Sequence, residues 1–190
     1  MLSKRVCVVA LSCLALGASF AGLAGAQAPA GATAAPPTPA AAAGLAPLAW
    51  MVGTWAGEEK GPNNTTLLVV INARWSETRH AIVFDVYFES GGTRTPQYDG
   101  MFLWHPANNK ITLWQVNRQG QVAEGDMVTA DAGKTFDSMV RVAHVGGGQH
   151  FLKTHYKLLD ADAFHFKGYF RVKDGEAWKD AVEVTYRRRK

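Results

Sequence analysis

His80 is the residue of this chain with the clearest chemical potential, because the sequence places it among apolar side chains. In the segment Thr78–Glu89 it shares one alternating face with four large apolar residues, Ile82, Phe84, Val86 and Phe88. Side chains alternate across a β-strand, so a strand here would turn this whole set inward. An inward imidazole could ligate a metal or anchor the polar head of a ligand. Exposure at the rim, close to the start of the strand, is the alternative.

Asp180 is a comparable carboxylate near the end of the chain. It shares an alternating face with Trp178 and Val182, and a carboxylate on an apolar face is costly unless it is paired or solvated. It could anchor a ligand or act as an acid with a raised pKa, and exposure beside the preceding turn is the alternative. His80 with Asp180 or Glu59 would form an acid–base pair, but the sequence fixes no distance between them. The sequence shows no group of residues spaced as a known catalytic or metal-binding site.

Aromatic side chains could line a pocket around these polar groups. Trp104, Tyr156 and Trp178 fall in segments of strand character, and their rings suit a flat or apolar ligand. Filling of an ordinary core is the alternative. The sequence therefore predicts a ligand-binding set on the inner faces of the strands, formed by His80, Trp104, Tyr156, Trp178 and Asp180.

Ten segments of strand character follow one another between Thr54 and Arg188, separated by short turns rich in Gly, Asn and Asp. Regular, closely spaced strands indicate an all-β fold, either a sandwich or a barrel. In Ala163–Lys173 the even positions are mostly Phe and Val, whereas the odd ones are mostly basic. One apolar face per strand closes most economically into a barrel, which also removes exposed sheet edges. We therefore expect a single antiparallel up-and-down β-barrel of about ten strands.

The N-terminal residues predict export. Residues 1–26 begin with Lys4 and Arg5, continue through the apolar run Val6–Ala24 and end in the small residues of a cleavage site. This is the pattern of a secretory signal peptide, with a retained membrane anchor as the alternative. Residues 27–44 are rich in Ala and Pro and carry no charge, which indicates a disordered tether. The barrel would then span residues 45–190, in the periplasm or outside the cell.

Both cysteines, Cys7 and Cys13, lie within the predicted signal, so the mature chain would contain no disulfide and no thiolate site. Loss of Lys4 and Arg5 leaves 18 basic and 16 acidic residues, a net charge of +2. Such a balance argues against a nucleic-acid partner. The basic strand face could make weak contact with an anionic membrane surface, although a solvated face is the simpler interpretation. We expect a monomer or a dimer.

The opening of the predicted barrel resembles that of the calycin group, which includes lipocalins, fatty-acid-binding proteins and nitrobindin-like barrels. The resemblance rests on a helical turn followed by Gly53-x-Trp55-x-Gly57. In that group the Trp closes the barrel floor and a basic residue of the last strand packs on it. Antiparallel closure would bring Arg188 to Trp55, and a guanidinium can stack on indole. Gly53, Trp55 and Arg188 are therefore the predicted floor residues, with Leu48 and Trp50 sealing the same end.

Two further blocks resemble exported bacterial domains of unknown function placed near that group, namely residues 98–104 and residues 110–114. Nitrobindin-like barrels hold haem through a His near the C-terminus, whereas the last strand here, WKDAVEVTYRRR, contains none. The resemblance thus implies haem as a possible cofactor, but the His that would bind it is missing from the last strand. The sequence itself assigns no cofactor. We expect an exported barrel that binds a small, mostly apolar molecule. The alternatives are a cyclase, isomerase or lyase using the same cavity, and an envelope or interaction protein with a filled interior.

Overall fold

Ten antiparallel strands close into a barrel in the computed structural model, which describes residues 43–60 and 65–190. The predicted signal peptide and nearly all of the predicted tether lie outside these residues. The strands are β1 (Gly53–Lys60), β2 (Thr66–Trp75), β3 (Ala81–Ser90), β4 (Thr93–His105), β5 (Lys110–Asn117), β6 (Val122–Ala130), β7 (Thr135–Ala143), β8 (Gln149–Asp160), β9 (Ala163–Arg171) and β10 (Lys179–Arg188).

Each strand pairs with the next along the chain, and β10 returns to pair with β1. This last pairing sets Trp55 opposite Arg188 and Ala56 opposite Arg187. The order is that of an up-and-down barrel, so the predicted fold class is confirmed. Among the described residues, no helix has both the length and the apolar character needed to cross a membrane.

Strand β9 shows how alternation orients the barrel wall. Phe164 and Phe166 belong to the apolar interior, whereas Lys167 and His165 lie on the outer face and contact Glu183 of the neighbouring strand. Lys167 Nζ lies 3.4 Å from Glu183 Oε2 and 3.6 Å from Asp180 Oδ1. The basic stripe predicted from the sequence is therefore external, and these members of it have acidic partners.

A short 3-10 helix, Ala46–Met51, seals one end of the barrel. Proline near its start fits the first turn, where a backbone N–H has no intrahelical acceptor. Leu48 and Met51 are almost fully buried, and Trp50 Nε1 donates a hydrogen bond to the Gly133 carbonyl at 2.9 Å. Gly133 belongs to a second 3-10 turn, Asp131–Gly133, between β6 and β7. We call this end the floor and the opposite end the mouth.

The predicted floor residues Gly53, Trp55 and Arg188 contact one another at this end. Trp55 is fully buried, and its Nε1 donates to the Met51 carbonyl at 2.8 Å. Gly53 has a φ of +134°, and a Cβ there would lie 2.4 Å from Arg188 Nη1. A side chain at position 53 would therefore meet the guanidinium, which explains why glycine fits this position.

Candidate ligand-binding cavity

The lumen is solid near the floor and hollow towards the mouth. Near the floor, aromatic rings fill the space: Trp50 lies 5.3 Å from Phe164 and 5.6 Å from Phe136, measured between ring centroids. Phe136 stacks on Tyr156 at 4.2 Å, and Phe164 stacks on Tyr186 at 4.9 Å. Both tyrosines also line the cavity beyond, so their rings form the boundary between the packed and hollow parts of the barrel.

The hollow part is a cavity of about 330 Å³ whose walls are mainly apolar. Phe and branched aliphatic residues from strands around the barrel contribute the apolar walls: Val69, Ile71, Phe84, Val86, Phe88, Phe102, Leu113, Val140, Leu152, Phe166 and Val182. Polar side chains are fewer and comprise Glu59, Tyr98, Gln115, Thr154, Tyr156 and Tyr186. Large apolar walls with a few polar groups are typical of small-molecule sites, because the walls supply affinity and the polar groups supply orientation.

Glu59 is the one carboxyl among the described residues that line this cavity. It lies near the mouth end of β1, where alternation with Trp55 and Gly57 turns it inward. Partial burial raises the pKa of this carboxyl above its usual value, because desolvation penalises the charged form. Burial also raises the pKa values of Tyr98 and Tyr186, and the negative charge of Glu59 adds to both shifts. The three groups therefore act on one another electrostatically.

A buried hydroxyl pair lies on the opposite wall. Ser138 Oγ and Thr154 Oγ1 are 2.6 Å apart, and both residues are buried on neighbouring strands β7 and β8. Each hydroxyl thus satisfies the other in a region with few polar partners. Thr154 also lines the cavity, so this pair could reorganise to meet a ligand.

Of the predicted ligand-binding residues, Tyr156 lines the cavity. Trp104 faces the floor end instead, where it packs against the core and against the backbone of Gly44, whose Cβ would lie 2.3 Å from Trp104 Cδ2. Gly44 therefore lies against the barrel wall at the floor end.

His80 lies outside the cavity, in contrast to the prediction. It is exposed in the turn between β2 and β3, and its Nδ1 lies 2.6 Å from the Thr78 carbonyl. The strand begins at Ala81 because Arg79 adopts a positive φ of 58°, which ends the alternation on which the prediction depended. This turn is at the floor end, whereas Glu59 and Asp180 lie near the mouth. The structure therefore does not form the predicted acid–base pairs.

Asp180 also points away from the lumen. A β-bulge between Asp180 and Val182 shifts the register of β10 against β9, so Ala181 lines the cavity instead. Asp180 is exposed and pairs with Lys167 on the outer face. Trp178 precedes β10, half-buried, and stacks on the Arg171 guanidinium at 4.5 Å from the ring centroid. A bulge adds one residue to one strand and reverses the faces beyond it, which period-2 reasoning cannot foresee.

From the sequence, Glu59 was expected only as a partner for His80, and Gln115 and Tyr186 were not predicted to line a cavity. The signal for Glu59 was its spacing from Trp55, since residues two and four apart share a face. The signal for Tyr186 was the same even face of β10 that holds Val182 and Val184. Neither pattern indicates how deep in the lumen a side chain lies, so neither predicted the cavity.

Haem is the cofactor that the resemblance to nitrobindin-like barrels brings with it. The described lining residues include no His and no Cys, so the side chains able to bind iron are the Tyr phenols and Met51. Burial raises the pKa of Tyr156 to about 12, which opposes formation of the phenolate that iron binds. The described lining residues thus offer haem neither an imidazole nor a thiolate ligand, and we assign no step to it.

Comparison with known proteins supports the fold. No family model matches the chain, and no curated protein matches it. Among solved structures, the crystal structure of Rv2717c from M. tuberculosis is similar, with a TM-score of 0.55 and 15% sequence identity, over 77% of this chain and 98% of that one. At this identity the likeness concerns architecture alone, and it is consistent with a calycin-like barrel.

Proposed function

We propose that this chain binds a small, mostly apolar molecule in the lumen of its barrel. The observation that carries the proposal is the cavity of about 330 Å³, walled by Phe, Val, Leu and Ile side chains above an aromatic floor. Transfer of apolar ligand surface from water to such walls is favourable by about 25 cal/mol per Å². The volume falls in the range of roughly 300–1,000 Å³ that is usual for small-molecule sites.

The two alternatives have less support. A barrel filled by Phe and Trp describes the floor half of the lumen, whereas the hollow half leaves room for a guest. An enzyme would need an acid and a base within reach of one substrate. His80 is exposed in the floor-end turn and Asp180 points to the outer face, so neither joins Glu59 in the lumen. Because the sequence predicts a signal peptide, we expect binding to take place in the periplasm or outside the cell.

The test uses N-phenylnaphthylamine, a neutral apolar dye whose fluorescence rises in an apolar site. We expect saturable binding to the purified protein. Leu152 lines the cavity, so Leu152→Trp would fill part of it and weaken dye binding by about tenfold or more. Leu159→Trp is the matched control, because Leu159 is exposed on the outside of the same strand.

Circular dichroism and urea unfolding would first establish that both variants fold. Native mass spectrometry of protein purified under mild conditions would report any co-purified guest. Absence of dye binding to the unmodified protein, or equal loss in the two Trp variants, would contradict a luminal site.

A further inference from the structure

Taking the proposed luminal site as given, we propose that the cavity selects apolar molecules bearing a protonated amine over the matching carboxylates, with Glu59 as the residue that binds the ammonium group. The apolar walls alone do not determine which charge the guest carries. That preference depends on which ionisable groups the lumen contains and on where they lie.

The lumen has one acidic side chain and no basic one among its described lining residues. Lys167 and Arg171, which extend from β9, are engaged on the outer face with Glu183 and Asp174. A carboxylate guest would thus meet the charge of Glu59 with no cation to offset it. Two like charges in a partly desolvated site repel one another strongly, because the effective dielectric constant is lower than in water.

Glu59 is also available to a guest. Its carboxylate makes no hydrogen bond and no ion pair within the described part of the chain, although the residue is partly buried. The negative charge of Glu59 contributes to the raised pKa values of Tyr98 and Tyr186, so both lie near it. Their phenols could accept or donate further hydrogen bonds. A charge-assisted hydrogen bond from an ammonium to this carboxylate would be shorter and stronger than a neutral one.

The walls around Glu59 favour the same guest. Aromatic rings line much of the cavity, including Phe84, Phe88, Phe166, Tyr98 and Tyr156. The face of an aromatic ring carries partial negative charge, so it attracts a cation that has lost part of its water. A carboxylate gains nothing from these faces. The Glu59 carboxylate and the aromatic rings therefore both favour a cationic guest over an anionic one.

The experiment compares three probes that share one naphthyl group: naphthylmethylamine, naphthylmethanol and naphthylacetate, all substituted at the same ring position. Each would be titrated at pH 7 against the protein loaded with N-phenylnaphthylamine, and its affinity read from displacement of the dye. We expect the amine to bind about tenfold or more tightly than the alcohol, and the carboxylate to bind most weakly.

Glu59→Gln keeps the size of the side chain and removes its charge. The affinity of this variant for the dye is measured first by direct titration. We then expect the amine and the alcohol to bind within about threefold of one another. Glu58→Gln is the matched control, because Glu58 is the exposed neighbour on the outer face of β1; here the preference for the amine should persist.

The outcomes separate the two proposals. If the unmodified protein fails to bind the dye, the luminal site itself is wrong. If the dye binds but the amine gains nothing over the alcohol, or if the preference survives in Glu59→Gln, the role of Glu59 is wrong. Should Glu59→Gln fail to fold, the order of the three probes on the unmodified protein still decides the selectivity.

Discussion

The guanidinium of Arg188 lies 4.1 Å from the centroid of the buried Trp55 ring and joins the last strand to the first. The same group donates hydrogen bonds to the Val52 carbonyl at 2.9 Å and to the Trp50 carbonyl at 3.3 Å. It also donates to the Ala161 carbonyl at 3.3 Å. One side chain therefore fixes the barrel seam, the end of the 3-10 helix and the turn between β8 and β9.

Replacement of Arg188 by Lys tests how much the planar guanidinium group contributes to stability. Arg188→Lys keeps the charge but loses most of the donors and the flat surface that stacks on indole. We expect a loss of about 1–3 kcal/mol in the free energy of unfolding, measured in urea. Arg187→Lys is the control, because Arg187 is exposed on the outer face; similar losses in both variants would contradict the role of the floor contact.

The contact between Trp55 and Arg188 was expected from the resemblance of Gly53-x-Trp55-x-Gly57 to the calycin opening and from antiparallel closure of the barrel. Gly53 and Trp55 mark the start of the first strand, and closure of an even number of antiparallel strands brings the end of the last one beside it. The alternation in β9 likewise predicted that Phe166 faces the core and Lys167 faces solvent. These features depend on residue spacing within single strands, which the chain displays directly.

The cavity depends on information that spacing does not carry. Leu113 and Trp114 are both apolar, and only the register of β5 shows that Leu113 faces the lumen while Trp114 is 38% exposed. The bulge at Asp180 shifts one face of β10 by one residue, and the positive φ of Arg79 leaves His80 in the turn before β3. Whether the inward side chains fill the lumen depends on the sizes and positions of those side chains on all ten strands. A hollow barrel and a filled barrel can therefore have the same alternating sequence pattern.

The buried Ser138–Thr154 pair should behave as one energetic unit. Thr154→Val leaves the Ser138 hydroxyl without its partner, which should cost about 1–3 kcal/mol in the free energy of unfolding. In the double variant with Ser138→Ala neither hydroxyl remains, so the loss should be smaller than the sum of the two single losses. A double-mutant cycle in urea measures this coupling; strictly additive losses would show that the two hydroxyls do not depend on each other.

Tyr156 should make the protein less stable in alkali. Burial raises its pKa to about 12, whereas the pKa of Tyr in an unfolded chain is about 10. Between these values the unfolded chain releases a proton that the folded chain keeps, so stability falls as the pH rises. Urea unfolding at several pH values from 8 upwards should show a smaller decline in Tyr156→Phe than in the unmodified protein. An equal decline would contradict the shift.

His144 and His150 form a close pair at the mouth, with His144 Nε2 and His150 Nδ1 2.6 Å apart. Partial burial lowers the pKa of His150, and the neighbouring His144 lowers it further. The folded protein therefore resists protonation of His150, whereas His in the unfolded chain accepts a proton at about pH 6.5. Stability contributed by the neutral imidazole is present above that pH and is lost as the pH falls towards the pKa of the folded state.

An NMR titration of the imidazole signals tests this directly, with a midpoint for His150 expected below that of a free-peptide His. In His144→Gln the neighbouring charge is removed but the burial remains. Since burial is the larger cause, we expect most of the lowering to persist in this variant. A midpoint for His150 at or above the free-peptide value, or full recovery of that value in His144→Gln, would contradict the assignment. The first result would place the ring in solvent, and the second would make the His pair the dominant cause.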